Sequence, residues 1–147
     1  MPYERLFRSN RIKPHQVNPK EVKQLLQLAV RDLVTAVRNL EEAPDWAYSI
    51  AYNSILQAGR ALMFFDGYRP RGSDQHATVV EFVQERLGDP YAAQVRLFDQ
   101  MRRKRHRVIY ETAGLVSKME AEQAVAFAQT FVEQITQMIT DQKKLGI

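Results

Sequence analysis

Apolar residues recur at helical spacing along nearly the whole chain after residue 18. The first predicted helix begins at an Asn18-Pro19 cap and ends before Pro44. Its apolar positions follow the i, i+3, i+4, i+7 pattern of a one-sided helix: Val22, Leu25, Leu26, Ala29, Leu33, Ala36, Val37 and Leu40. A capping box from Ser117 to Glu120 opens another helix with an equally regular stripe. No stretch shows the period-two alternation typical of β-strands.

Three more helices are predicted between these two. They cover about residues 45–66, 74–87 and 90–112, and the first two end at Gly67 and Gly88. The second predicted helix has an inner row of small residues, which favours close packing by its neighbours: Ala47, Ala51, Ser54, Ala58 and Ala61. Segments 11–15 and 68–73 are predicted to be loops. Five amphipathic helices with short connections predict an all-α fold, an antiparallel helical bundle.

The length of 147 residues suits one domain that buries its own core. We expect the bundle to occupy residues 18–147, preceded by an N-terminal extension of residues 1–17. The longest apolar run is far shorter than the roughly 20 residues that span a bilayer. The first residues contain no hydrophobic signal core, so a cytoplasmic protein without membrane contact is expected.

The absence of cysteine excludes disulfides, thiolate nucleophiles and cysteine-based zinc sites. The three histidines, His15, His76 and His106, show no paired spacing of the HExxH type. Neither a metal site nor a cofactor is therefore predicted.

Positive charge is concentrated in one short segment. The chain has a net charge of +4, yet five of the six residues from 102 to 107 are Arg or Lys. The rest of the chain is therefore slightly acidic. A nearly neutral protein with one cationic cluster has a localised site of attraction for phosphate groups.

Arg105 has an unusual position on the fourth predicted helix. On a helical wheel, the apolar residues of this helix fall within one arc of about 100°, and Arg105 lies in the middle of it. A guanidinium group in an apolar stripe is costly unless it is paired, faces a cleft or lies at a subunit interface. A buried ion pair with a carboxylate of another helix is the alternative to a functional role.

Beside this stripe, Arg102, His106 and Tyr110 follow one another at intervals of four residues and are predicted to form a ridge. Such a ridge suits a phosphodiester, because arginine binds phosphate in a bidentate manner and histidine exchanges protons near neutral pH. Three further cations occupy the outer face and either contact phosphate or form an ordinary solvated surface: Arg103, Lys104 and Arg107.

Two residues outside this segment are further candidates. His76 opens the apolar stripe of the third predicted helix, where a packing or capping role competes with a chemical one. Arg60, on the second predicted helix, either faces a groove and binds phosphate or makes structural hydrogen bonds.

Two segments together resemble the HEPN domain family. The first runs from Ala47 to Val83, AYSIAYNSILQAGRALMFFDGYRPRGSDQHATVVEFV, and has Tyr and Asn among small residues, an Arg-Ala-Leu tripeptide, a Gly turn and a His opening a short helix. The second, RRKRHRVIYE, is similar to the family's Arg-rich helix. The resemblance covers about residues 22–139.

The resemblance implies an α-helical bundle, usually a homodimer in which the Arg-containing helices meet at a cleft. Many members are metal-independent ribonucleases of toxin–antitoxin or defence systems, often with a nucleotidyltransferase-like partner, and others bind RNA or nucleotides without cleavage. Here Arg102 stands one residue too close to His106 for the family pattern of Arg, four to six residues, then His. Arg105 and Tyr110 match that spacing instead, and a phenol with an ordinary pKa near ~10 is a poor base.

The resulting expectation is an RNA- or nucleotide-binding protein of a toxin–antitoxin or defence pair. Arg102, Arg105, His106 and Tyr110 are the central candidates. One alternative is a metal-independent endoribonuclease in which His106 or His76 moves protons. The other is a non-catalytic module whose basic face docks an acidic protein.

Overall fold

A computed structural model describes residues 3–110 and 115–144, except for the side chains of Tyr110 and Lys144. Within this part the chain forms six α-helices, one short 3₁₀ helix and two short strands. In chain order they are α1 (Glu4–Arg8), β1 (Ile12–Pro14), α2 (Pro19–Arg38), α3 (Pro44–Phe65), β2 (Tyr68–Pro70), α4 (Gln75–Leu87), the 3₁₀ helix (Asp89–Tyr91), α5 (Ala92–Tyr110) and α6 (Lys118–Lys144). The predicted all-α bundle is confirmed.

The helix ends follow local sequence signals. The Asn18 side chain accepts a hydrogen bond from the Lys20 amide at 2.9 Å, which caps α2. Ser117 Oγ accepts one from the Glu120 amide at 3.1 Å and caps α6. Gly88 follows α4 with a φ of +73°, a conformation that few other residues adopt. The predicted caps and stops are thus confirmed because they depend on neighbours in sequence.

Helix α3 is the centre of the bundle and packs against α2, α4, α5 and α6. Its row of small residues is completely buried. At Gly59 a Cβ atom would lie only 2.8 Å from Val79 Cγ1 and 3.3 Å from Val83 Cγ2, so α4 approaches the backbone of α3 directly. The predicted packing role of this helix is confirmed.

The N-terminal segment packs onto the bundle. Leu6 and Ile12 are buried, and the Tyr3 ring stacks on Phe82 with their centroids 4.4 Å apart. The segments predicted as loops instead contain β1 and β2, which pair antiparallel with Ile12 opposite Pro70. The loop prediction was wrong because each strand has only three residues and contains a proline, too short a pattern to show alternation.

Helix α2 carries a second apolar ridge that faces outward. Val37, predicted as a core residue, is 47% exposed, and Val30 and Val34 are similarly exposed. They line a groove of about 810 Å³ between α2 and α6. Among residues 3–110 and 115–144, no helix combines the length and apolar character that a membrane crossing requires.

Candidate functional site

Arg105 turns from α5 toward α3, as its place in the apolar stripe predicted. Its Cζ lies 5.4 Å from the centroid of the Tyr52 ring, in the arrangement of a cation–π contact. Its Nε atom is buried and has no hydrogen-bond partner. In the described part of the chain, Arg105 forms no ion pair. The alternative of a buried ion pair with a described carboxylate is therefore not realised, and the guanidinium group keeps its capacity to bind an anion.

Tyr52 connects this guanidinium group to a histidine on a third helix. The fully buried Tyr52 places its hydroxyl 3.1 Å from His76 Nδ1, and the two rings are 5.8 Å apart. His76 is the second residue of α4 and is half-buried. Helix α4 therefore brings its first turn to the seam between α3 and α5. When the phenol donates to Nδ1, the ring proton of a neutral His76 lies on Nε2.

Burial and positive charge determine the protonation of this pair. Burial lowers the pKa of His76 below its ordinary value, and the nearby charges of Arg105, Arg60 and Arg102 lower that pKa further. Burial also raises the pKa of Tyr52 far above that of a free phenol. At neutral pH both side chains are therefore uncharged, and the local charge comes from the arginines.

Arg60 and Arg102 complete what we call the cation cluster, which consists of Arg60, Arg102 and Arg105 around Tyr52 and His76. Arg60 is half-buried and donates to the neutral amide of Gln57 at 3.0 Å. Arg102 donates to Asp99 Oδ1 at 3.0 Å. Of these three arginines, Arg102 is the one with a carboxylate partner in the described structure. The cluster has excess positive charge at a half-buried position.

The remaining candidates of the basic segment lie outside this cluster. His106 and Arg107 are exposed. Arg103 is also exposed and pairs with Asp99 Oδ2 at 3.0 Å. Lys104 pairs with Glu120 of α6. The predicted ridge therefore divides, because Arg102 belongs to the cluster and His106 lies on the surface, while the Tyr110 side chain falls outside the described residues.

Tyr52 was not among the site residues predicted from the sequence. It was one of two tyrosines beside the packing row of its helix, a pattern equally typical of a purely structural residue. The detectable signal was indirect: Tyr48 and Tyr52 lie one turn apart on the helix with the most small residues. The contact between Tyr52 and His76 spans 24 residues and depends on how α3 and α4 cross.

A groove of about 510 Å³ between α4 and α5 extends outward from Arg102. Its α5 wall also carries Arg96, Asp99 and Arg103, and its α4 wall carries Glu81 and Gln84. Within the cluster, Arg60 and Arg105 pair with no described carboxylate, and guanidinium groups of this kind bind phosphate oxygens through charge-assisted hydrogen bonds. In the described residues, no group of three or more His, Asp or Glu side chains could hold a metal ion. Anion binding is the chemistry that this arrangement supports.

Comparison with known proteins places the chain in a family. The model of the HEPN domain matches residues 22–138, which is most of the chain and includes every residue of the cation cluster. No curated protein matches the sequence. By this match over most of its length, the chain belongs to the HEPN domain family.

Proposed function

We propose that this protein binds RNA or a nucleotide, with phosphate held by the cation cluster. Membership of the HEPN family supports a function connected with nucleotides or RNA. The observation that carries the proposal is Arg105, a half-buried guanidinium group whose buried Nε has no acceptor and which pairs with no described carboxylate. A half-buried guanidinium group without a carboxylate partner is costly in the free protein, and an anion at its accessible atoms offsets that cost.

The cluster suits phosphate more than a carboxylate ligand. Two arginines from α5 and one from α3 lie near enough to His76 for their charges to lower its pKa, and an anion bound beside His76 would be attracted by all three. His76 adds a neutral hydrogen-bonding group at the same position. The groove beside Arg102 offers a path along which a polynucleotide backbone leaves the cluster.

Fluorescence anisotropy with labelled single-stranded RNA tests the proposal. Arg105→Ala and Arg102→Ala are expected to weaken binding and to reduce the slope of log K against log salt by about 0.7 per lost phosphate contact. Arg31→Ala is the matched control, because Arg31 is 68% exposed on α2 and pairs with Asp32 beside it. Unchanged binding in both cluster variants would rule out this site.

A homodimer is part of the proposal. Large apolar side chains are exposed at the start of α3, near the end of α5 and at the start of α6: Trp46, Ile109 and Met119. One of them, Ile109, lies on the Arg-containing helix α5, and a second copy of the chain is proposed to cover all three. Sedimentation velocity should show a dimer that Met119→Lys dissociates, whereas Val34→Lys on the remote face of α2 should leave it intact.

The proposal also includes a partner protein of the nucleotidyltransferase type in a toxin–antitoxin or defence pair. Such a partner should be encoded next to this protein. Co-expression of the two, followed by purification through a tag on one, tests the association directly. If no such neighbour exists, the protein acts without this partner.

Metal-independent RNA cleavage is a second candidate function, favoured by the neutral His76 beside Arg105. In this reaction His76 is in the tautomer whose Nδ1–H donates to the Tyr52 hydroxyl oxygen, so Nε2 is free to accept the proton of a ribose 2′-hydroxyl, whose oxygen attacks phosphorus. The bond from phosphorus to the 5′-oxygen breaks, the leaving 5′-oxygen takes the proton that His76 accepted, and the products are a 2′,3′-cyclic phosphate and a 5′-hydroxyl. The test is cleavage of single-stranded RNA in the presence of EDTA. Cleavage that is lost in His76→Ala and retained in His106→Ala would support this second function. No cleavage by the wild type, or equal loss in both variants, would contradict it.

A further inference from the structure

A separate cavity is bounded in part by α3 and α5, the two helices that carry the arginines of the cation cluster. It has a volume of about 410 Å³ and is bounded by α3, α5 and α6. Two aromatic rings, one thioether, two amides and one carboxylate line it: Tyr48, Phe127, Met101, Gln100, Gln123 and Glu120. We call this cavity the base pocket.

Two residues that line the base pocket each lie one helical turn from a residue at the centre of the cation cluster. Tyr48 precedes Tyr52 by four residues on α3, and Met101 precedes Arg105 by four residues on α5. Residues at this spacing are neighbours on one helix face, about 5.4 Å apart along the axis. Tyr52 and Arg105 are in contact across the seam between these helices, and Tyr48 and Met101 each lie one turn from that contact.

The lining has the chemistry that a nucleobase requires. Aromatic rings and a thioether offer contact to the flat face of a base, and stacking of this kind contributes to single-strand binding whatever the sequence. The exposed amides of Gln100 and Gln123 each present both a donor and an acceptor to a base edge. Burial raises the pKa of Tyr48 to about 12, so its hydroxyl stays a donor at neutral pH.

The one carboxylate of the pocket does not repel an anionic ligand strongly. Glu120 forms an ion pair with Lys104, which reaches it from α5. The charge beside the pocket is therefore balanced, and net positive charge remains at the cluster one turn away. An apolar cavity with a few polar groups beside a cationic centre is a typical arrangement for a ligand with one apolar and one anionic end.

We propose that the base pocket holds one nucleobase of a bound RNA while the cation cluster holds the adjoining phosphate. This deepens the proposed function and rests on it. The ligand is then recognised as a nucleotide unit and not only as a polyanion. Affinity should depend on the presence of bases at constant charge.

Two RNA hexamers separate the contribution of the bases from that of the phosphates. They are hexa-adenylate and its fully abasic counterpart, which have the same sugar–phosphate backbone. We expect hexa-adenylate to bind about tenfold more tightly, as one stacked and hydrogen-bonded base provides. Gln123→Ala should reduce this ratio several-fold and leave abasic binding unchanged. Gln129→Ala, an exposed change on the same helix that faces the groove between α2 and α6, should preserve the ratio.

Equal affinity for the two hexamers would overturn the base pocket, as would a preference for hexa-adenylate that Gln123→Ala does not reduce. If both hexamers bind equally and both lose affinity in Arg105→Met, phosphate binding at the cluster stands and the base pocket alone is wrong. If neither hexamer binds, the proposed function fails and the base pocket fails with it.

Discussion

Replacement of Arg105 by methionine should leave the protein as stable as before, or more stable. Methionine keeps the unbranched stem that packs beside Tyr52 and removes the charge. The buried Nε has no acceptor, and an unsatisfied buried donor costs about 1–3 kcal/mol. The contact with the Tyr52 ring contributes about 0.5–2 kcal/mol in the opposite direction. The midpoints of these two ranges differ by about 0.8 kcal/mol, so a small gain of that order is expected in the free energy of unfolding.

Arg86→Met is the matched comparison, because it makes the same substitution where the guanidinium group is paired. Arg86 Nε donates to Asp66 Oδ2 at 2.8 Å, and the two side chains are only 23% and 14% exposed. Without Arg86, Asp66 keeps just the hydrogen bond from Tyr3 among its described contacts. Breaking a pair at this depth should cost about 2–3 kcal/mol, somewhat less than a fully buried pair.

Urea denaturation of the wild type and both variants measures the difference directly. The two variants should differ by about 3 kcal/mol, which corresponds to roughly 6–12 °C in Tm for a chain of this size. Arg105→Met should at the same time lose RNA affinity, whereas folded Arg86→Met should retain it. A loss of more than about 2 kcal/mol in Arg105→Met would refute the reasoning, because Arg105 would then be a structural residue.

Three further predictions concern packing and pH. Gly59→Ala should lower the free energy of unfolding by about 1–2 kcal/mol, because the added Cβ would lie 2.8 Å from Val79 Cγ1. In urea denaturation, the double variant Gly59→Ala/Val79→Ala should lose less free energy of unfolding than the two single variants lose together. The folded pKa of His76 lies below 6.5, so the unfolded chain takes up this proton at a higher pH than the folded chain. The free energy of unfolding should therefore be lower at pH 5.5 than at pH 7.5, and His76→Asn should reduce that difference. Burial raises the pKa of Tyr48 to about 12 and that of Tyr52 further, so above pH 10 these two tyrosines ionise first in the unfolded chain. The free energy of unfolding should therefore fall above pH 10, and tyrosinate absorbance should rise in a late phase that coincides with unfolding.

The basic segment illustrates how far sequence reasoning reaches. The helical wheel placed Arg105 in the apolar stripe of α5, and the structure turns it toward α3, because the phase of a residue on its own helix depends only on helix geometry. It could not indicate which side chain would face Arg105 across the seam, and Tyr52 was not among the predicted site residues. His106 was a central candidate by type and spacing, and the structure places it in an exposed position on α5.

The sequence by itself determined the all-α class, the caps at Asn18 and Ser117 and the packing role of α3. These features follow from interactions within a few residues, and their signals are local. Only the tertiary structure decided that His76 and Arg105 both contact Tyr52, and that the N-terminal segment packs into the core through Leu6 and Ile12. Such contacts join distant parts of the chain, and they depend on how helices rotate and cross when their apolar faces pack together.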